Sequence, residues 1–164
     1  MKSKKYIFIG PACSGKSTLI GMLAKNNSLK YYDIIEVMLP YIKKYGFVTN
    51  KNKDVLDNVV DKFIKSFKGK DFDILEFATG EYLPKMLVAL KDFDITVVYC
   101  MCSKDICNER MINRERKIPK HYLDYQFKFD SGYYNNLKEE FNFKLVVLDT
   151  SDTKKAYYII KKVL

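Results

Sequence analysis

The chain has 164 residues, a length that can bury a substantial core without disulfides or metal, so one domain over residues 1–164 is expected. Its apolar runs are far shorter than the roughly 20 residues of a membrane span, and an apolar strand pattern begins directly after the first few residues, so we expect a cytoplasmic protein without membrane contact. The four cysteines include no C-x-x-C pair and have a single histidine to partner them, which speaks against a zinc site.

The basic residues are distributed in a way that separates arginine from lysine. The formal charge is +9, and the 29 basic residues comprise 26 lysines scattered along the chain and three arginines, all within residues 110–116. Guanidinium groups make planar, bidentate contacts with phosphate that lysine does not reproduce. The clustering therefore indicates phosphate binding, with chance and helix propensity as the alternative. A nucleic-acid partner stays possible but is not favoured, because scattered lysines define no basic groove.

The first strand pattern leads into the most informative segment of the chain. Residues 5–9 are apolar and are predicted to form a buried strand. They are followed by Gly10-Pro11-Ala12-Cys13-Ser14-Gly15-Lys16-Ser17, which matches the phosphate-binding pattern G-x-x-x-x-G-K-[ST] at every fixed position. Residues 17–25 then carry apolar side chains at helical spacing. A strand before the pattern and a helix after it are the setting in which such a loop binds a nucleotide.

The expected roles follow from the position of this loop at a helix N-terminus. Backbone amides from Cys13 to Thr18 can converge on phosphate oxygens at the positive end of the helix dipole. Lys16 is expected to reach the β- and γ-phosphates of ATP, and the Ser17 hydroxyl to ligate Mg²⁺. The residues expected to bind the nucleotide here are Gly10, Cys13, Ser14, Gly15, Lys16, Ser17 and Thr18.

Strand patterns alternate with helix patterns along the rest of the chain. Further strands are predicted at residues 72–78, 95–101 and 145–148, and a short run at 29–32 is either a strand or the entry to a helix. Because the strands are apolar on both faces, they predict a three-layer α/β/α fold with a five-stranded parallel sheet.

The predicted helices vary in the strength of their end signals. Residues 34–45 form a helix pattern that Pro40 is expected to kink or end, and residues 49–53 are polar and loop-like. The other predicted helices are residues 54–67 with Asp54 as N-cap, 80–90, a helix capped by Ser103 that carries the arginines, a short one near 137–140, and 156–164. The pattern of residues 118–129 is mixed.

Two carboxylates follow predicted strand ends, where ligands of parallel sheets bind. Glu76 is expected to hold a metal-bound water or to approach the acceptor, and its alternative is an ion pair with a lysine. Asp33 is expected to accept the proton of a substrate hydroxyl, and its alternative is the N-cap of the helix beginning at Ile34. Glu36 is a further candidate for acceptor contact. The tyrosines that could stack on an acceptor are Tyr31, Tyr32, Tyr41, Tyr82 and Tyr125, of which Tyr82 is preferred as a site residue.

The three arginines lie in a segment that we expect to form a lid over the phosphates. Arg110 and Arg114 are four residues apart and share a helix face, whereas Arg116 is displaced from it unless the helix ends near Pro119. We expect residues from about 110 to 130 to form a small lid that excludes water and completes the charge clamp around the phosphates.

Together these features resemble the P-loop nucleoside and nucleotide kinase superfamily, particularly its adenylate-kinase-like and polynucleotide-kinase-like members, over about residues 5–150. The shared features are the phosphate loop, the strand ending Leu-Glu-Phe-Ala followed by Gly-Glu-Tyr, and the arginine segment running into Ile-Pro. The resemblance implies the P-loop NTPase fold and a lid in which Arg110 lies against the adenine while Arg114 and Arg116 contact phosphates. It also implies that the loop containing Thr150 flanks the base.

The chain departs from nucleoside monophosphate kinases in one respect. The arginine that follows Asp-Gly-Phe-Pro in those enzymes is absent, and no arginine outside residues 110–116 could bind a phosphate on the acceptor. The expected function is ATP- and Mg²⁺-dependent phosphate transfer to a hydroxyl, or a phosphate, of a small acceptor, with a nucleoside or another small alcohol favoured. A regulatory nucleotide-binding NTPase and a kinase acting on nucleic-acid ends are the alternatives. Either a monomer or a homodimer is expected.

Overall fold

The computed structural model describes residues 2–47, 53–78, 80–115 and 117–164, and at its centre lies a sheet of five parallel strands. The strands are β1 (Lys4–Ile9), β2 (Tyr31–Asp33), β3 (Ile74–Phe77), β4 (Asp94–Met101) and β5 (Lys144–Asp149). Their order is β2-β3-β1-β4-β5. The predicted five-stranded parallel sheet is therefore confirmed, and the short run before Asp33 is a strand.

Helices cover both faces of this sheet. They are α1 (Lys16–Asn27), α2 (Ile35–Tyr45), α3 (Lys53–Phe67), α4 (Leu83–Ala89), α5 (Lys104–Ile112), α6 (Lys120–Gln126), α7 (Ser131–Phe141) and α8 (Thr153–Ile160). A 3₁₀ turn, Gly80–Tyr82, precedes α4.

The side chains of β1 show how the three layers form. Ile7 and Ile9 point into a core that helices α2, α3, α4 and α7 complete, whereas Phe8 points to the opposite face, where Leu19 of α1 and Ile160 of α8 cover it. Because successive side chains of a strand alternate between faces, a strand that is apolar at every position requires a layer on each side.

Several element boundaries differ from the predicted ones for local reasons. Helix α3 begins at Lys53, so Asp54 lies in its first turn and is not the N-cap. Helix α2 continues through Pro40. Proline has no N–H to donate to the carbonyl four residues earlier, but Pro40 is exposed, so water can bind that carbonyl. Helix α8 begins earlier than predicted, because the Asp152 carboxylate accepts the amides of residues 154 and 155 at 3.0 and 3.1 Å. Most of the polar stretch at 49–53 lies outside the described residues.

The register of the sheet brings the predicted site residues to one edge. Asp33 pairs with Glu76 at the ends of β2 and β3, next to the end of β1, where the phosphate loop begins. Gly10 opens that loop against β4, and a Cβ atom built there would lie 2.5 Å from the carbonyl oxygen of Cys100. Glycine is thus required at the first loop position by a close backbone approach.

Within the described part of the chain, no helix has both the length and the apolar character needed to span a membrane.

Candidate active site

The phosphate-binding loop joins β1 to α1 and holds a buried cation. Lys16 is 5% exposed, and its Nζ donates to the carbonyl oxygens of Gly10 and Pro11 at 2.8 Å each. No carboxylate of the described residues forms a salt bridge with it. Since a buried charge normally needs a counter-charge, this ammonium at the N-terminus of α1 fits an anionic ligand.

A hydroxyl and a carboxylate meet beside this lysine. The Ser17 Oγ donates to Glu76 Oε1 at 2.6 Å, while Glu76 Oε2 is buried and has no hydrogen-bond partner among the described residues. A carboxylate oxygen and a hydroxyl are ligands that Mg²⁺ accepts in proteins. The described residues contain no group of three or more His, Cys, Asp or Glu side chains able to hold a metal. An Mg²⁺ ion bound here would therefore need phosphate oxygens or water as additional ligands.

Asp33 lies both at the start of α2 and on the wall of a cavity. Its Oδ1 accepts the amide of Ile35 at 2.9 Å, at the start of α2, and the residue also lines the cavity beside the phosphate loop. Burial, followed by the negative charge of Glu76, raises the pKa of Asp33 from its ordinary 3.8 to about 6. The carboxylate is thus a stronger proton acceptor than a surface aspartate and still ionised at neutral pH.

Two arginines of α5 and the residues just after it reach the phosphate loop. Arg110 Nη2 donates to the carbonyls of Thr150 at 3.0 Å and Ser151 at 2.7 Å, and its Nη1 donates to the Cys13 carbonyl at 3.2 Å. Arg114 Nη1 lies 3.5 Å from the Cys13 sulfur. Both guanidinium groups therefore border the loop, and the third predicted one, Arg116, lies outside the described residues.

The lid segment packs against the same loop through an apolar cluster and one amide. The cluster is formed by Ala12, Cys102, Cys107, Ile118, Tyr122 and Leu123. Gln126, at the end of α6, accepts the Ala12 amide through its Oε1 at 2.7 Å. The lid is thereby seated on the phosphate loop in this structure.

A cavity of about 330 Å³ opens between the loop, the ends of β2 and β3, helix α2 and the lid. One part of its wall is polar and consists of Lys16, Ser17, Thr18, Asp33, Glu76, Arg110, Arg114, Gln126 and Thr153. The other part is mainly apolar and includes Ile34, Ile35, Met38, Ile42, Phe47, Ile118 and Tyr122. Its volume is that of a site for a small organic molecule.

Some predicted site residues lie elsewhere. Glu36 is exposed in the first turn of α2, and Tyr82 is buried in the main core, so the structure brings neither to the cavity wall. Thr150 is fully buried, and its amide and hydroxyl both donate to the carbonyl of Met101, at 2.8 and 2.9 Å. Its side chain therefore holds the loop after β5 to β4. Ser14 is also fully buried, 3.5 Å from the Lys16 ammonium.

Three polar residues of the wall were not predicted from the sequence. Gln126, Tyr122 and Thr153 belong to no pattern with a known spacing, and they reach the cavity only because the lid and α8 fold over the loop. Among the tyrosines proposed or found, Tyr122 lines the cavity and Tyr82 does not.

No protein-family model and no curated protein matches this sequence. Solved structures do match it. The crystal structure of a sugar kinase from Janibacter sp. is similar with a TM-score of 0.68 at 12% identity, over 98% of this chain and 93% of that one. Shikimate kinase from Bacteroides thetaiotaomicron gives 0.64 at 10% identity over 97% of each chain. A structure from Chloroflexus aurantiacus gives 0.59 at 15% identity, over 99% and 95%. At these identities the similarity concerns the fold, and the chain has the three-layer fold of the small P-loop kinases that its sequence predicts.

Proposed function

We propose that this protein is a kinase that transfers the γ-phosphate of ATP to a hydroxyl of a small acceptor. The observation that carries the proposal is that one cavity joins a cationic phosphate-binding wall to a pair of carboxylates. Lys16 and Arg114 supply the positive charge of the phosphate-binding wall, and Asp33 and Glu76 are the two carboxylates. Phosphate transfer needs charge neutralisation on one side and an oriented hydroxyl on the other, with little covalent work for the protein.

The donor side is formed by the loop and the arginines. The amides of residues 13–18 would bind the phosphate oxygens, and Lys16 would exchange its two carbonyl partners for them. Among the described residues, Arg114 hydrogen-bonds only to a thiol, which is a weak acceptor, so little is lost when it turns to a phosphate. Arg110, and Arg116 by its place in the sequence, would add positive charge at the same end.

The metal would be held next to this side. The fit rests on the Ser17 hydroxyl and the unpartnered Oε2 of Glu76, and we assign Ser17 as a direct ligand and Glu76 as a ligand through water. Mg²⁺ bound there would neutralise negative charge on the phosphate oxygens.

The acceptor side depends on Asp33. With a pKa raised to about 6 it is ionised at pH 7, and it would take the proton of the acceptor hydroxyl during transfer. Its amide bond to Ile35 fixes the carboxylate while the residue lines the cavity.

The seated lid favours transfer to an alcohol over transfer to water. The apolar cluster beneath it and the Gln126–Ala12 hydrogen bond cover the loop on the side of the lid. Exclusion of water suppresses hydrolysis and strengthens the electrostatic interactions of the site. A regulatory NTPase needs neither space for an acceptor nor protection from water, which is why we rank this function second.

The test is ADP formation with and without added acceptors, in wild type and paired variants. Lys16→Ala and Arg114→Ala should each reduce acceptor-dependent turnover about 100- to 1,000-fold, the loss typical of one removed electrostatic contact to the transition state. Lys25→Ala, exposed in the last turn of α1, and Lys120→Ala, exposed on the lid, are the matched controls and should keep their activity.

Two outcomes would favour the alternatives. Slow hydrolysis that no acceptor changes, with nucleotide still bound, would favour a regulatory NTPase. Turnover confined to oligonucleotides and steeply reduced by salt would favour a kinase of nucleic-acid ends.

A further inference from the structure

Gln126 presents an unused hydrogen-bond donor in the cavity wall. The residue is 1% exposed, its Oε1 accepts the amide of Ala12, and its Nε2 has no hydrogen-bond partner among the described residues. A backbone N–H can only donate, so the amide atom facing Ala12 must be the oxygen, and the free atom must be the nitrogen. A buried donor without a partner is costly, and a ligand that accepts from it would remove that cost.

Asp33 lies on the same wall. Its Oδ1 accepts the amide of Ile35, and the proposed phosphate transfer uses this carboxylate to take the proton of the acceptor hydroxyl. A ligand that contacts both Asp33 and Gln126 carries a hydroxyl at one position and a lone-pair acceptor at another.

The part of the wall formed by α2, Phe47 and the lid is apolar and partly aromatic. Phe47, just after α2, lies with its ring centroid 5.4 Å from that of Tyr122 on the lid, and Met38, Ile42 and Ile118 continue the same surface. Burying a polyol against it would leave hydroxyl groups without partners. A ligand with a flat, apolar face fits this surface.

The charges of the cavity speak against an anionic acceptor once ATP is bound. Among the described residues, the cations of the wall are Lys16, Arg110 and Arg114, and all three contact the phosphate loop. The phosphates of ATP would use these cations, whereas the carboxylates of Asp33 and Glu76 line the same cavity. A carboxylate or phosphate on the acceptor would then meet negative charge that no cation of the described wall is left to offset.

We infer that the acceptor is an uncharged alcohol with an apolar, flat body that bears a hydrogen-bond acceptor, and that the Nε2 of Gln126 selects it by donating to that acceptor atom. The inference rests on the proposed phosphate transfer and narrows it. Gln126 is a specificity residue in this account, while Asp33 takes the proton of the hydroxyl.

The single glutamine allows a direct measurement. Protein labelled with ¹⁵N only at glutamine side chains gives one pair of amide proton signals, which belong to Gln126. In the presence of Mg²⁺ and a nonhydrolysable ATP analogue, the wild type is titrated with two matched pairs, uridine and uridine 5′-monophosphate, and adenosine and its 5′-monophosphate. D-glucose and shikimate complete the panel as an uncharged polyol and a carboxylate. ADP formation with ATP is measured on the same six compounds.

A neutral nucleoside should both move the Gln126 amide signals and stimulate ADP formation, with its monophosphate, glucose and shikimate weaker by about tenfold or more. Gln126→Glu keeps the oxygen that holds Ala12 but replaces the donor by an oxygen. It should lower kcat/KM for the nucleosides about 10- to 100-fold more than kcat/KM for D-glucose. Asn135→Asp, the same chemical change at an exposed position of α7, should leave both constants unchanged.

Three results would overturn the inference. The first is faster turnover with a charged compound or glucose than with the nucleosides. The second is turnover of an acceptor that leaves the Gln126 signals in place. The third is a panel in which another compound is phosphorylated or moves these signals while neither nucleoside does. Absence of ADP formation with every compound and of any amide shift, while ATP binds, would instead count against the proposed phosphate transfer itself.

Discussion

Asp33→Asn is expected to make the protein more stable at neutral pH and much less active. In the folded protein, burial and the neighbouring Glu76 charge raise the pKa of Asp33 from 3.8 to about 6. The folded state therefore binds a proton on the Asp33 carboxylate more tightly than the unfolded chain does. This tighter binding stabilises the folded state fully below pH 3.8, and the stabilisation is lost as the pH rises through 6. The pKa difference of about 2 corresponds to about 3 kcal/mol.

Asparagine keeps the oxygen that accepts the amide of Ile35 and does not ionise. The free energy of unfolding of the variant minus that of the wild type should therefore increase with pH, by about 2 kcal/mol between pH 4.5 and 8. Urea denaturation at several pH values, without nucleotide or Mg²⁺, measures it. In the same variant, loss of the proton acceptor should reduce phosphate transfer about 100-fold or more.

Asp92→Asn is the matched control, because it makes the same chemical change at an exposed position between α4 and β4. If the difference in free energy of unfolding between Asp33→Asn and wild type stayed constant across this pH range, the surroundings of Asp33 would not disfavour its ionised form.

Three further changes probe the loop and the lid. Gly10→Ala should unfold at a clearly lower temperature than wild type, since its Cβ would lie 2.5 Å from the Cys100 carbonyl oxygen. Gly21→Ala has open space around it in α1 and should raise the free energy of unfolding by about 0.5–1 kcal/mol. Equal melting temperatures of the two variants would contradict the close approach at Gly10. Ser103→Ala should lose about 1 kcal/mol in urea denaturation, because the hydroxyl accepts an amide at 3.3 Å at the start of α5. Iodoacetamide should modify the half-buried Cys13 before the three buried cysteines, and an ATP analogue should slow this, as mass spectrometry of the peptides would show.

The sequence predicted the parts of the site that depend on local chemistry. The phosphate loop has a fixed spacing, and Glu76 lies in an apolar run that predicts a strand. The run before Asp33 was compatible with a strand or with the entry to a helix. Ser103 was correctly predicted as a helix cap, because its hydroxyl needs only the amides of its own first turn. Such features depend on the neighbouring residues alone.

Helix α7 shows why other parts could not be predicted. Its sequence contains Gly132 and two asparagines, weak helix formers, and only residues 137–140 showed a helical pattern. In the structure Asp130 caps the first turn at 3.0 Å, and Tyr134 packs in the main core, so tertiary contacts outweigh the weak local preference. Gln126 could not be identified for the same kind of reason, since its role arises from the seating of the lid on Ala12.

Transfer of the γ-phosphate to an organic hydroxyl is what distinguishes a kinase from a hydrolase. To detect it, the protein is incubated with Mg²⁺, ATP labelled with ³²P at the γ-position and each acceptor of the panel, and the products are separated by chromatography. We expect label in a phosphate ester of a neutral acceptor, formed by wild type and Lys25→Ala but not by Lys16→Ala. Label found only in inorganic phosphate, at the same rate with and without acceptor, would contradict it.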